Sequence, residues 1–112
     1  MEVKVIASPF GSATRTRALL ALELLTESHA RELSRLLACP LSSVQKALQS
    51  LERDGLVIVR DVGRTRVYRI DPRADAAREL RAYLRRLAES DPDLSAGVSS
   101  MRRRPRKTGK PL

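Results

Sequence analysis

Ser43-Val44-Gln45-Lys46-Ala47-Leu48-Gln49-Ser50-Leu51-Glu52-Arg53-Asp54-Gly55-Leu56-Val57 is the stretch on which the fold turns. Val44, Ala47, Leu48 and Leu51 fall at i, i+3, i+4 and i+7, one face of a helix that must be buried. The spacing predicts a helix over 41–53 that stops at Gly55, a residue free to take the positive φ of a helix exit. The opposite face collects Ser42, Lys46, Gln49 and Arg53, flanked by Ser43 and Gln45. It holds hydrogen-bonding and basic groups, and its first carboxylate is Glu52, at the edge. A solvated helix usually mixes both signs of charge. An ordinary polar face is the bland reading, and a face that meets a polyanion is the sharper one.

Downstream of Gly55 the period shortens to two. Leu56-Val57-Ile58-Val59-Arg60 and Arg66-Val67-Tyr68-Arg69-Ile70 are β-branched and strand-like, and Asp61-Val62-Gly63-Arg64-Thr65 holds the glycine of a hairpin turn. Leu56 and Ile58 are expected to point inward on one strand, and Tyr68 and Ile70 on the other. Arg60, Arg64 and Arg66 then face solvent near the hairpin tip, offset only by Asp61. Two strands alone are marginal, so the hairpin must pack on helices.

Upstream, Ala18, Leu19, Leu22 and Leu25 form an apolar surface too broad for an exposed helix, which places helix 13–26 at the centre of the core. A shorter helix is expected at 29–37 after the hydroxyls of Thr26 and Ser28, with Ala30, Leu33 and Leu37 on its apolar face. Cys39-Pro40 ends it, because proline disfavours α conformation at the preceding residue. Residues 3–6 read as a short strand or arm. Asp71-Pro72 is expected to open a last helix over 73–89, whose Ala77, Leu80, Leu84 and Leu87 suit either internal packing or dimerisation. Residues 1–90 then form one domain. Segment 91–112, rich in Gly, Ser, Arg and Pro, is expected to be a flexible basic tail.

Composition narrows the function. A net charge of +9 predicts attraction to polyanions, and it divides unevenly: residues 1–90 carry 16 basic and 11 acidic groups, the last 22 carry 6 and 2. With Phe10, Tyr68 and Tyr83 as the only aromatics, the core must be aliphatic. The single Cys39 cannot form an intramolecular disulfide, and with the single His29 it gives no protein-only zinc site. No apolar run approaches a membrane span of roughly 20 residues, and Met1-Glu2-Val3-Lys4-Val5-Ile6 lacks the basic start and apolar core of a signal peptide. A cytoplasmic protein without cofactor or metal is expected. Catalysis is not, since no base–nucleophile set or phosphate-cradling glycine loop occurs and Ser42 has no histidine to activate it.

Helix, helix, helix, hairpin, helix is the order of a winged helix-turn-helix, mainly α with a β-hairpin wing and a short N-terminal strand as an option. A major groove about 12 Å wide accepts one helix, so Ser42, Ser43, Gln45, Lys46 and Gln49 are the candidates for base edges. Glutamine suits adenine, and lysine suits guanine or phosphate. Arg64 and Arg66, with Arg53 and Arg60, suit the backbone or the minor groove, where negative potential is enhanced.

Residues 12–70 resemble the winged-helix domain of bacterial regulators of the broad ArsR/MarR type. The likeness is carried by Ser12-Ala13-Thr14-Arg15, by Ala30-Arg31-Glu32-Leu33-Ser34-Arg35-Leu36-Leu37, by 43–57, and by Gly63-Arg64-Thr65-Arg66-Val67-Tyr68-Arg69-Ile70. The segment Phe10-Gly11-Ser12, Val44-Gln45 and Tyr68-Arg69 is also similar to winged-helix domains found in front of small nucleotidyltransferases. The resemblance implies a transcriptional regulator of double-stranded DNA, expected to be a repressor in the bacterial cytoplasm, nucleoid-associated when bound. It also implies a homodimer, for which helix 73–89 and the N-terminal arm are the candidate contacts. Metal-sensing members carry a cysteine pair, whereas Cys39 stands alone. The alternative is a protein-interaction or accessory module for a separately encoded enzyme such as a nucleotidyltransferase.

Overall fold

A computed structural model describes residues 9–103. Its first helix, α1 (Ala13–Leu25), starts where the Ser12 hydroxyl accepts a hydrogen bond from Arg15 N–H (3.1 Å). Ala18, Leu19, Leu20, Ala21 and Leu22 are fully buried or nearly so, and together they cover more than half the turn of the helix. Five other elements pack on α1, which confirms the central place expected of it.

Residues Ser28–His29 form a very short strand, β1, followed by α2 (Ala30–Leu37). The cap of α2 is the imidazole of His29, whose Nδ1 accepts from Glu32 N–H (3.3 Å), and not the hydroxyl of Thr26 or Ser28. Ser28 instead donates to Glu32 Oε1 (2.5 Å). Ala38 takes a left-handed conformation (φ 55°), and Ser34 Oγ donates to the Cys39 carbonyl (2.6 Å), closing the turn into α3 (Leu41–Arg53). Val44, Ala47, Leu48 and Leu51 of α3 are buried, the face that the spacing requires. Gly55 leaves the helix at φ 81°, with Leu56 N–H bonded to the Leu51 carbonyl.

The wing consists of β2 (Val57–Val62) and β3 (Thr65–Ile70). Both strands reach further than 56–60 and 66–70, and only Gly63-Arg64 is left as the turn, Gly63 at φ 64°. The sheet order is β1-β3-β2, and β1 supplies a third strand that the sequence pattern does not reveal. The inward residues of β2 are Val57 and Val59, paired with Ile70 and Tyr68, and not Ile58; Leu56 does pack against the core, but from before the strand. Leu56 is still part of the helix exit, so the strand begins one residue later and its alternation shifts by one.

The last expected helix also starts later, as α4 (Ala77–Ala88). Asp71 caps a turn instead, its carboxylate accepting from Arg73 N–H (2.9 Å) and its carbonyl from Ala74 N–H (3.1 Å). Leu84 and Ala88 reach the core, whereas Leu80 and Leu87 pack at its edge and Tyr83 is exposed against Phe10. A salt-bridged fork joins α4 to α1: buried Glu23 accepts from Arg81 Nε (2.9 Å) and Arg85 Nε (2.7 Å).

The expectation of a flexible tail from residue 91 is corrected. Residues Pro92–Arg103 form α5, capped by Asp91, whose Oδ1 accepts from Leu94 N–H (3.2 Å). Leu94 is 1% exposed and Val98 4%, both within the main core. At Gly97 a Cβ would lie 2.8 Å from Leu36 Cδ1, so the glycine lets α5 lie close against α2. The arm at 3–6 and the basic run beyond 103 lie outside the described residues.

Because Leu94 fills a closed core position, Leu94→Ala is expected to destabilise the domain by about 2–5 kcal/mol, read as a lower urea midpoint. A change near zero would mean that α5 contributes nothing to folding.

Candidate nucleic-acid interface

The position of α3 is fixed at its far end by one side chain. Arg15, at the start of α1, donates through Nη2 to Asp54 Oδ2 (2.8 Å), through Nη1 to Ser50 Oγ and through Nε to the Phe10 carbonyl. At its near end, the turn into α3 is tied to α2 by Ser34 Oγ, which donates to the Cys39 carbonyl (2.6 Å). The helix is therefore held at both ends while its outer face stays open. Ser42, Gln45, Lys46, Gln49 and Arg53 are exposed on that face, and Ser43 is half-buried.

Between this face and the wing lies a groove of about 390 Å³. It brings Gln45 and Gln49 of α3 together with Arg64 and Arg66 of the wing, four of the nine residues expected from sequence. Ser42, Lys46 and Arg53 continue the α3 stripe outside the groove. Arg66 lies over the Tyr68 ring (5.9 Å to the centroid), with Asp61 3.8 Å away.

Arg60 departs from expectation. It points to the other side of the hairpin, where Nη1 and Nη2 donate to Glu27 Oε1 (2.7 Å) and Oε2 (3.2 Å). The hairpin pattern leaves it an open charge, and the fold gives it a carboxylate. Conversely, Arg31, exposed in the first turn of α2, lines the groove and was not singled out. Its signal was available: it stands two residues after the start of the helix expected at 29, the end that approaches α3 in a helix-turn-helix.

A basic groove beside an open polar helix can cradle a phosphate backbone and offer amides to base edges. Among the described residues, no cluster of three or more His, Cys, Asp or Glu is placed to hold a metal ion, and no helix is long and apolar enough to cross a membrane.

Residues 12–73 match the family profile described as sugar-specific transcriptional regulator TrmB. Among solved structures, the chain is similar to a variant of ZitR from Lactococcus lactis, with 17% identity over 84% of this chain and 67% of that one and a TM-score of 0.57. It is also similar to the adhesin competence repressor AdcR from Streptococcus pyogenes, with 18% identity, 82% and 80% coverage and a TM-score of 0.50. Identities this low speak for the fold, which is a winged helix. No curated protein matches. The profile match favours transcriptional regulation over an accessory module for an enzyme.

The Glu27–Arg60 pair can be checked alone. The hydrogen bonds from Arg60 hold the Glu27 carboxyl below its ordinary range, against the opposing effect of desolvation. A carboxyl depressed in the folded state contributes stability above its unfolded pKa and loses it as pH falls through the folded value. A side-chain NMR titration of Glu27 is expected to give a lowered pKa that returns to the ordinary range in Arg60→Ala. An unchanged titration would mean that the pair does not form in solution.

Proposed function

The chain belongs to the TrmB family of winged-helix transcriptional regulators, and from that premise we propose how it engages duplex DNA. The outer face of α3 enters the major groove, where Gln45, Lys46 and Gln49 meet base edges and Ser42 and Ser43 add permissive hydrogen bonds. Arg64 and Arg66 of the wing follow the backbone or enter the minor groove beside it, and Arg53 meets phosphate at the end of α3. Arg31 joins them as a phosphate contact.

The observation that supports this docking is the groove that gathers Gln45, Gln49, Arg31, Arg64 and Arg66 from three elements on one side of the molecule. Arg60 contributes less, because a guanidinium already shared with a carboxylate gains little by moving to phosphate.

The protein acts as a homodimeric repressor. A winged helix reading one half-site gains affinity and symmetry from a second copy, and the exposed Tyr83 on α4, next to Phe10 and with Leu80 and Leu87 alongside, offers an apolar surface for it. The N-terminal arm is a second candidate contact. Residues beyond 103 add unspecific electrostatic affinity, and a sugar is the effector class that the family description suggests.

Selection of bound fragments from random duplex DNA is expected to recover a palindrome. On that site, Gln49→Ala and Lys46→Ala should each weaken binding by about 1–3 kcal/mol and relax preference at one position per half-site. Arg64→Ala should weaken all sequences alike and lower the log–log salt slope by about 0.9 per protomer. Binding equal to the parent in all three variants at low salt would refute the docking. A selection without sequence preference would refute specific recognition.

A further inference from the structure

On the side of β1 away from the α3 groove lies a second cavity, of about 600 Å³, within the usual size range for small-molecule sites. Its walls come from the end of α1 (Leu25), the α1–α2 connection (Glu27, Ser28, His29), α2 (Glu32), the wing strand (Val67) and the end of α5 (Met101, Arg102). Leu25, Val67 and Met101 provide an apolar lining. Arg102 keeps its charge but turns Nη2 to the Leu24 carbonyl, and Glu27 is occupied by Arg60.

Glu32 is different. It is half-buried, and among the described residues no arginine or lysine forms a salt bridge with it. One carboxylate oxygen, Oε1, accepts from the buried Ser28 hydroxyl, which orients the group without neutralising it. A carboxylate partly removed from water and without a salt-bridge partner among the described residues gains much from a cation that arrives with a ligand. His29 accepts from Glu32 N–H through Nδ1, which leaves the ring proton on Nε2 as a donor. A carboxylate and an imidazole with this geometry lack the ligand number of a metal site, whereas a largely polar groove with an apolar strip beside one unpaired carboxylate fits a small organic cation.

We propose that this cavity binds a small organic amine, its ammonium group on Glu32 and its apolar body against Leu25, Val67 and Met101. The site is also wired to the groove on the other side. His29 lines both spaces, caps α2 and, through β1, pairs with Val67 on β3. An ammonium on Glu32 draws on the residue whose N–H the His29 cap serves, and β3 runs from Val67 to the wing tip. Occupancy therefore changes how Arg31 and the wing meet DNA. That coupling rests on the docking proposed above; the binding itself does not.

The test uses the full chain and a panel of phenethylamine, tryptamine and cadaverine, with 2-phenylethanol and N-acetyltryptamine as uncharged counterparts. At saturating concentration at least one amine is expected to raise the thermal midpoint by roughly 5 °C, the uncharged counterparts by less than a degree. Glu32→Gln, which keeps an acceptor for Ser28, should abolish the shift, and Met101→Trp, which fills the cavity from the α5 side and leaves the Glu32 carboxylate in place, should do the same. If no amine shifts the midpoint, if the uncharged compounds shift it equally, or if both variants respond like the parent, the site is refuted. With an amine that binds, a change of about tenfold in DNA affinity supports the coupling; amine binding with unchanged DNA affinity refutes the coupling alone, and DNA affinity absent throughout refutes the docking alone.

Discussion

Everything in this domain is organised around the complete burial of α1. With almost no aromatic side chains, the core has to be filled by many medium-sized aliphatic groups, each contributing about 1.5–3 kcal/mol when fully removed from water. Leu19 and Leu22 do so at the centre, and small Ala18 and Ala21 let neighbouring elements approach on either side. A helix buried this broadly has to be covered on several faces. That requirement brings α3, α4, α5 and β3 onto one scaffold. It also obliges Glu23, on the same helix, to find cations, which α4 supplies in Arg81 and Arg85. Removing the fork would leave a carboxylate in a site with little water, so the pairing of α4 with α1 is specified by charge as well as by leucine.

The same scaffold aims the polar face of α3. Since Val44, Ala47, Leu48 and Leu51 must face α1, the rotation of α3 about its axis is decided by burial, and Gln45, Lys46 and Gln49 are left outside as a consequence. Burial does not decide how far the helix slides or tilts. Arg15 does that work by holding Ser50 and Asp54, two positions one turn apart near the end of α3, to the start of α1. Hydrophobic spacing thus chooses the face, and a polar knot fixes the pose.

Most of this order was legible in the sequence because it rests on strong local signals. The 3.6-residue period of α3, the Cys39-Pro40 break, Gly55 and Gly63 each admit few readings. What escaped did so for physical reasons. Strand β1 has two residues, too few for an alternation to show, and exists only because β3 offers a partner. The shift in β2 arises because Leu56 belongs to a helix exit, which changes the count by one without changing composition. Asp71-Pro72 is as good a signal for a turn as for a helix start, and the chain uses it for the turn. In α5 the apolar residues are present at helical spacing, Leu94, Val98 and Met101, but Gly97, three serines and the following arginines dilute them below what composition alone detects. They order by landing on a core that other elements have already assembled, a tertiary effect that no local window contains.

Charge teaches the same lesson more sharply. Arginine dominates the basic residues of this chain, and exposure does not tell its roles apart: Arg60, Arg64 and Arg66 are all exposed and lie within seven positions. What separates them is which acids the fold brings near. Arg15, Arg17, Arg60, Arg81 and Arg85 each meet a carboxylate from a distant part of the chain and act as ties between elements. Among the described residues, Lys46, Arg53 and Arg64 show no such tie, and Arg66 has only a distant, exposed neighbour in Asp61. A surface guanidinium with a carboxylate at 2.7 Å is nearly silent a Debye length away, whereas one without such a partner still attracts a polyanion. The positive field of the domain is therefore narrower than its net charge implies. On the side of α3 and the wing, Arg31, Lys46, Arg53 and Arg64 keep their charge without a close acid among the described residues.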